Sequence, residues 1–222
     1  LPNVGKSTLF NRLTSGKVPA ENYPFCTINP SVGHVVIDDP RVKFLEDVYK
    51  PKRTFKACLT VTDIAGLVKG ASEGQGLGNQ FLDHIRNVDG IFLVVRCFED
   101  KEIAHVESSV DPMRDIKIIR DELRIKDCDF LEGELARAER ELRSKPGDKK
   151  AEKAVQTIRR LQKIASAMWI NEEAYDADEI AVINRLNLLT TKNVVILANI
   201  SPKHYEARKG NKHLKAVIDA FG

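Results

Sequence analysis

The chain opens with Leu1-Pro2-Asn3-Val4-Gly5-Lys6-Ser7-Thr8. Gly-Lys-Ser ahead of an apolar helical pattern is the second half of the phosphate-binding loop G-x-x-x-x-G-K-[ST]. The first glycine of that pattern would precede Leu1, as would the strand that feeds the loop. The expectation is a chain that begins inside its own active site and lacks that first strand. The chemistry is phosphate recognition. Backbone N–H groups along Asn3, Val4, Gly5, Lys6, Ser7 and Thr8, with a helix N-terminus behind them, suit the oxygens of a triphosphate. Gly5 lets the backbone come close to the phosphates. Lys6 supplies a point charge to the β- and γ-phosphates, and the Ser7 hydroxyl is a hard oxygen ligand for Mg2+. Leu9, Phe10 and Leu13 fall at helical spacing, and Ser15-Gly16 stops that helix.

Three further residues complete the pattern. Asp63-Ile64-Ala65-Gly66 follows an apolar run. A carboxylate there holds Mg2+ through water, and the Gly66 N–H meets the γ-phosphate. Thr27 sits in a loop between the first helix and the next strand, where it is the second Mg2+ ligand. Gly70, Gly74, Gly76 and Gly78 follow Asp63 closely, the composition expected of a nucleotide-sensing switch. Each residue alone is weak evidence. Lys6, Ser7, Thr27 and Asp63 in this chain order make a chance match improbable.

The elements that must position these groups are also readable. Apolar runs predict strands at 34–37, 59–62, 91–95 and 194–198, with helical patterns between them. Such alternation predicts an α/β fold, here a P-loop NTPase with a doubly wound parallel sheet. Ligands in such sheets lie at the carboxyl ends of strands. Asp63 and Asn199 both follow strands in this way. Residues 115–168 differ. Leu131, Leu135, Ala138 and Leu142 form one heptad stripe, and Ala154, Ile158, Leu161, Ala165 and Met168 form another. Ser144-Lys145-Pro146-Gly147-Asp148 between them is a turn. The pattern predicts an antiparallel coiled-coil hairpin, or alternatively two ordinary helices lying on the sheet. The expected division is 1–127 for the first part of the NTPase domain, 128–172 for the inserted arm and 173–222 for the rest.

Composition sets the outer bounds. The 222 residues are 42% hydrophobic and 30% charged, too apolar for a disordered chain. No run approaches the roughly 18 apolar residues of a membrane span, so no membrane partner is expected. Cys26, Cys58, Cys97 and Cys128 lack metal-ligand spacing and are expected to be buried reduced thiols of a cytoplasmic protein. The net charge of +3 is uninformative until it is divided. Residues 137–163 hold ten Lys or Arg against four Asp or Glu, an excess of six, which leaves the remainder at −3. That basic arm fits contact with an RNA backbone; the alternative is a solvated face. No aromatic residue lies within it, so base stacking is not expected there.

Together these residues resemble the Obg-related P-loop NTPases, specifically the Obg-like ATPase (YchF) subfamily. The resemblance runs the whole length and is most specific at residues 1–11, 22–30, 63–70, 74–85, 94–99 and the turn at 147–150. It implies a cytoplasmic ATPase that associates with ribosomes, and a C-terminal TGS domain that the sequence does not contain. Leu67 stands where Ras-like enzymes place a water-orienting glutamine, which implies slow turnover or another catalytic group. His105 matches a histidine suggested to act in this family; the alternative is a structural histidine. Asn3 matches an asparagine that in related NTPases helps hold K+ against the phosphates; the alternative is a residue stabilising its own turn. Asn199-Ile200-Ser201-Pro202 occupies the base-reading motif, where the subfamily shows Asn-x-x-Glu and guanine-specific relatives show Asn-Lys-x-Asp. Pro202 replaces the carboxylate of both. Guanine loses the reader of its N1–H and N2–H2 donors, whereas adenine needs only a donor and an acceptor near Asn199 and Ile200. ATP is therefore expected ahead of GTP. The alternatives are a GTPase, a dual-specificity NTPase, or a ribosome- or RNA-binding module in which nucleotide is mainly a signal.

Overall fold

The structure is a computed structural model, and it describes residues 1–14, 31–64, 85–100, 103, 107 and 109–222. The chain divides into two compact units, one of them Pro2–Gly66 and the other comprising Leu67–Gly222 with Leu1.

In the Pro2–Gly66 unit, helix α1 (Lys6–Thr14) follows the phosphate-loop residues. Strand β1 (Ser31–Val36), helix α2 (Pro40–Tyr49) and strand β2 (Cys58–Asp63) come next. Asp39 starts α2 by accepting the Arg41 N–H, and Pro40 suits a first turn that needs no amide donor. Lys50 ends it in the left-handed region at φ 42°. Phe10 is buried, and a Cβ on Gly33 would lie 2.3 Å from Thr14 Cγ2 and 3.2 Å from Phe10 Cζ. Only glycine at position 33 lets α1 lie this close to β1. The two strands run antiparallel, from Ser31 opposite Asp63 to Val36 opposite Cys58. This corrects the expectation of parallel strands throughout. Strand–helix alternation does not itself fix direction. Here α2 belongs to a connection that returns the chain to the same end of β1, closed by Ile37 N–H donating to Ala57 O at 2.9 Å.

In the other unit, β3 (Gly90–Arg96) and β4 (Asn193–Asn199) pair in parallel, with Gly90 opposite Asn193 and Arg96 opposite Asn199. Their starts are tied by Lys192, whose Nζ donates to Arg86 O, Val88 O and Asn187 Oδ1 at 2.7–3.0 Å. Among the described residues the strands form two two-stranded sheets, and only β3–β4 is parallel. The single doubly wound sheet expected from the sequence is thus not formed by the described strands. All four expected strands are present, each two residues longer than its apolar run, although β1 ends at Val36 and leaves out Ile37.

Helix α3 (Pro112–Ser144) and helix α4 (Lys149–Ala165) form the predicted helical pair. Arg124 reaches Ala165 O, and Arg159 reaches Glu139. Partners recede along α4 as they advance along α3, so the helices are antiparallel. Asp148 caps α4 through the Lys150 and Ala151 amides. The helix α3 runs back to Pro112, so the boundary expected at 128 falls inside it. The heptad pattern of α4 is also too narrow. Ala151, Val155 and Thr157 are buried along with Ala154, Ile158, Leu161 and Ala165, a face too wide for one coiled-coil seam. Helix α5 (Ala177–Leu186) covers the additional surface: Val182, Ile183 and Leu186 join Leu131, Ile158 and Leu161 in one core. The ion pairs Lys153–Asp176 and Arg160–Glu179, both 2.7 Å, edge that contact. They hold the Asp176 and Glu179 carboxyls below their usual range. Midway along α3, fully buried Asp127 accepts from Leu189 N–H, Thr190 N–H and the Thr190 hydroxyl. Burial pushes its carboxyl pKa up against the pull of those donors. No helix among the described residues is long and apolar enough to cross a membrane.

Candidate functional site

Helix propensity alone does not explain the start of α1. Asn3 and Gly5 both take positive φ, 57° and 98°. Asparagine tolerates the left-handed region, whereas the Gly5 value needs glycine. These two turns carry the chain into α1, where Leu9 N–H donates to Gly5 O at 3.0 Å. Val4 is 1% exposed and anchors the loop, while Lys6 and Ser7 are half-buried and Thr8 is exposed. Ser7, in the first turn of α1, donates its hydroxyl to Asp63 Oδ2 at 2.6 Å. Asp63 ends β2 and is 4% exposed. A hydroxyl and a buried carboxylate in contact, one turn beyond a glycine-bent loop, form an all-oxygen donor set. That set fits a small hard cation bound chiefly through phosphates. Among the described residues no cluster of three or more His, Cys, Asp or Glu offers a competing metal site. Thr27, Gly66, Leu67 and His105 lie outside the described residues.

The base-reading motif lies in the unit containing β3 and β4. Asn199 ends β4, and its carbonyl accepts from Cys97 N–H at 2.7 Å, just past the end of β3. Asn211 donates to Cys97 O at 2.6 Å. Thus Asn199 is held at the carboxyl end of the parallel pair, the end at which such sheets take ligands. Asn199 and Ile200 are half-buried. Pro202 is exposed and opens the short helix α6 (Pro202–Glu206), which Ser201 caps. In place of the motif's carboxylate the chain thus has a proline at N1 of a helix, where its missing amide costs nothing. His204 Nδ1 lies 2.6 Å from Ser201 Oγ. Beyond α6, helix α7 (Lys212–Phe221) brings Lys212 and His213 to Glu99 at 3.1 and 3.2 Å, which lowers the Glu99 carboxyl pKa.

A family model described as "50S ribosome-binding GTPase" matches residues 1–125. Obg-like ATPase 1 of Caenorhabditis elegans is 46% identical over 223 residues, covering 99% of this chain and 56% of the relative. The human protein of that name is 45% identical, covering 100% of this chain and 57% of its own length. The structure of the Schizosaccharomyces pombe YchF GTPase superposes with a TM-score of 0.76 at 42% identity, over 99% of this chain and 59% of that one. The chain belongs to the Obg-like ATPase (YchF) family.

It spans little more than half the length of these Obg-like relatives. As a member of the family it is a P-loop NTPase-type chain with a helical insert. One buried residue opposite Asn199 in the sheet register, Arg96, is not singled out by sequence. Arg96 ends β3 and is 1% exposed. Its guanidinium donates to Phe98 O, Asp100 O and Ile103 O at 2.9–3.1 Å and stacks on the Phe98 ring at 4.7 Å. An arginine closing an apolar strand reads as a surface charge; its burial comes from carbonyls of the turn after β3. Cys97 is fully buried, and burial pushes its thiol up to about 11. Cys58, in contrast, is exposed, which corrects the expectation that the cysteines are uniformly buried; Cys26 lies outside the described residues.

At the arm's tip, five of its ten basic residues are engaged in ion pairs: Arg137, Lys145, Lys153, Arg159 and Arg160. Arg140, Arg143, Lys149 and Lys150 are exposed and, among the described residues, have no ion-pair partner. These four flank the turn between α3 and α4.

Proposed function

We propose that this chain carries the nucleotide site of an Mg2+-dependent P-loop NTPase. It prefers ATP to GTP, turns over slowly and docks on ribosomes in the cytoplasm. The observation that supports the site best is the 2.6 Å bond between Ser7 Oγ and Asp63 Oδ2 beside the positive-φ turn at Gly5. Lys6 holds the β- and γ-phosphates, with the amides along Asn3–Thr8 around them. Ser7 and Thr27 would hold Mg2+ through their hydroxyls, with Asp63 reaching it through water. When bound, the ion neutralises charge that develops on the phosphate oxygens. The Gly66 amide meets the γ-phosphate, and Asn199 with Ile200 contacts the base. K+ beside Asn3 and a proton-handling His105 are further assignments carried by the resemblance. The full-length protein should hydrolyse ATP, and Lys6→Ala should abolish turnover while the fold persists; unchanged turnover overturns the assignment. Calorimetric competition between ATP and GTP decides base preference. Equal affinities would make the protein a dual-specificity NTPase, and tighter GTP binding a GTPase.

A second reading makes nucleotide a signal and ribosome docking the selected activity. Leu67 favours it, since an aliphatic side chain cannot orient the attacking water. The partner in both readings is the ribosomal RNA backbone, met by Arg140, Arg143, Lys149 and Lys150 at the arm's tip.

A further inference from the structure

The last residue of α2 and the connection toward β2 read Tyr49-Lys50-Pro51-Lys52-Arg53-Thr54-Phe55-Lys56. This stretch holds four cations, two aromatic rings and no acid. Every one of its residues is exposed. Phe55 is 88% exposed and Tyr49 76%. Lys56 is engaged with Asp38 at 2.6 Å, across the base of the connection. Lys50, Lys52 and Arg53 have no ion-pair partner among the described residues, so their charge faces solvent uncompensated. At the origin of the segment Lys50 turns the chain at φ 42°, and Pro51 stiffens the backbone beyond it. The neighbouring turn of α2 adds exposed Phe44, 66%, to the same short region.

We propose that residues 49–56 form a binding site for single-stranded RNA, separate from the arm. Lys50, Lys52 and Arg53 track the phosphates while Tyr49 and Phe55 offer ring faces to unpaired bases. Stacking needs a ring open on its face, and both rings are open. Duplex RNA presents no such bases, so a single strand is the form that uses both features. A protein partner is disfavoured because lysine is depleted from the centres of protein interfaces, and here cations alternate with the rings. The arm's tip lacks aromatic residues altogether. The two surfaces therefore predict different binding chemistry: charge and shape at the tip, stacking with charge here.

The test is fluorescence anisotropy of a labelled twelve-nucleotide oligouridine. The protein is the full-length chain with Arg140, Arg143, Lys149 and Lys150 changed to Glu, so that a failure of the arm and of this site are separable. Tyr49→Ala with Phe55→Ala should weaken binding by about tenfold or more and leave the salt dependence alone. Phe55→Trp should retain or tighten it, and Phe55→Leu, apolar but without a ring, should weaken it as alanine does. Lys50, Lys52 and Arg53 changed to Glu should lower the slope of log K against log salt by about two. The site is overturned if the aromatic variants bind as tightly as the parent, if Phe55→Leu binds normally, or if the slope does not move. It is equally overturned if an RNA duplex or polyglutamate binds as well as the oligouridine.

Discussion

Ser7 and Asp63 are 56 positions apart in sequence and share one 2.6 Å hydrogen bond. The sequence assigns both residues to one expected Mg2+ site, and the structure brings their side chains into contact. It leads to a specific expectation. Asp63→Asn keeps the shape and removes the charge that would orient a metal-bound water. Mg2+ should then improve nucleotide affinity by about tenfold less than in the parent, read by titration with and without the ion. An unchanged Mg2+ dependence would leave Asp63 a structural partner of Ser7. Arg96 shows the opposite case. Nothing in its neighbours announces a buried guanidinium, since the carbonyls that hold it belong to an irregular turn and carry no residue-type signature. Burial lowers its pKa without threatening its charge. The cysteines divide for a similar reason: the same residue type is exposed at Cys58 and buried at Cys97. Thiolate is the reactive form, and the Cys97 thiol is pushed up to about 11. At pH 8 a thiol reagent followed by peptide mapping should modify Cys58 in the folded protein. Cys97 should react only after denaturation.

At the scale of elements, periodicity found every strand among the described residues and both long helices, and the capping residues Asp111 and Asp148 mark the starts of those helices. It could not give strand direction, because β1 and β2 are joined through a helix yet run antiparallel. Nor could it show that α4 is covered on two sides. Position 157 is a threonine, which does not count toward an apolar stripe, and Ala151 lies off the stripe's spacing, yet both are buried. The consequence is a graded arm. Leu161 is fully buried in the three-helix part, whereas Leu142 near the turn is only half-buried. Leu161→Ala should cost about 2–5 kcal/mol and Leu142→Ala clearly less, measured by urea unfolding. Acid should loosen the same contact. Asp176 and Glu179 titrate below their usual range because Lys153 and Arg160 pair with them. Their contribution is complete above the ordinary carboxylate pKa values and is lost as pH falls through the lowered ones. Glu179→Gln should therefore flatten the fall in melting temperature on acidification.

Across the whole molecule, a net charge of +3 conceals a basic arm and an acidic remainder. Ion pairing refines that division further. Half of the arm's cations pair with acids of the arm or in or beside α5; of the other five, Lys163 lies near the far end of α4 and Arg140, Arg143, Lys149 and Lys150 cluster around the turn. A docking surface of this kind should behave as a phosphate-backbone contact, with no demand for a particular base. Changing all four to Glu should weaken co-sedimentation with ribosomes and reduce the salt slope by about three, near 0.7–0.9 for each phosphate no longer neutralised. Turnover of ATP without ribosomes should be unaffected, because none of the four is among the residues proposed to hold the nucleotide. If ribosome binding is unchanged, the four cations are a solvated face and docking must lie elsewhere. If ATP turnover falls in parallel, the arm acts on the nucleotide site rather than on RNA. Only the first outcome separates the two activities, and it would locate ribosome recognition in four side chains at the turn between α3 and α4.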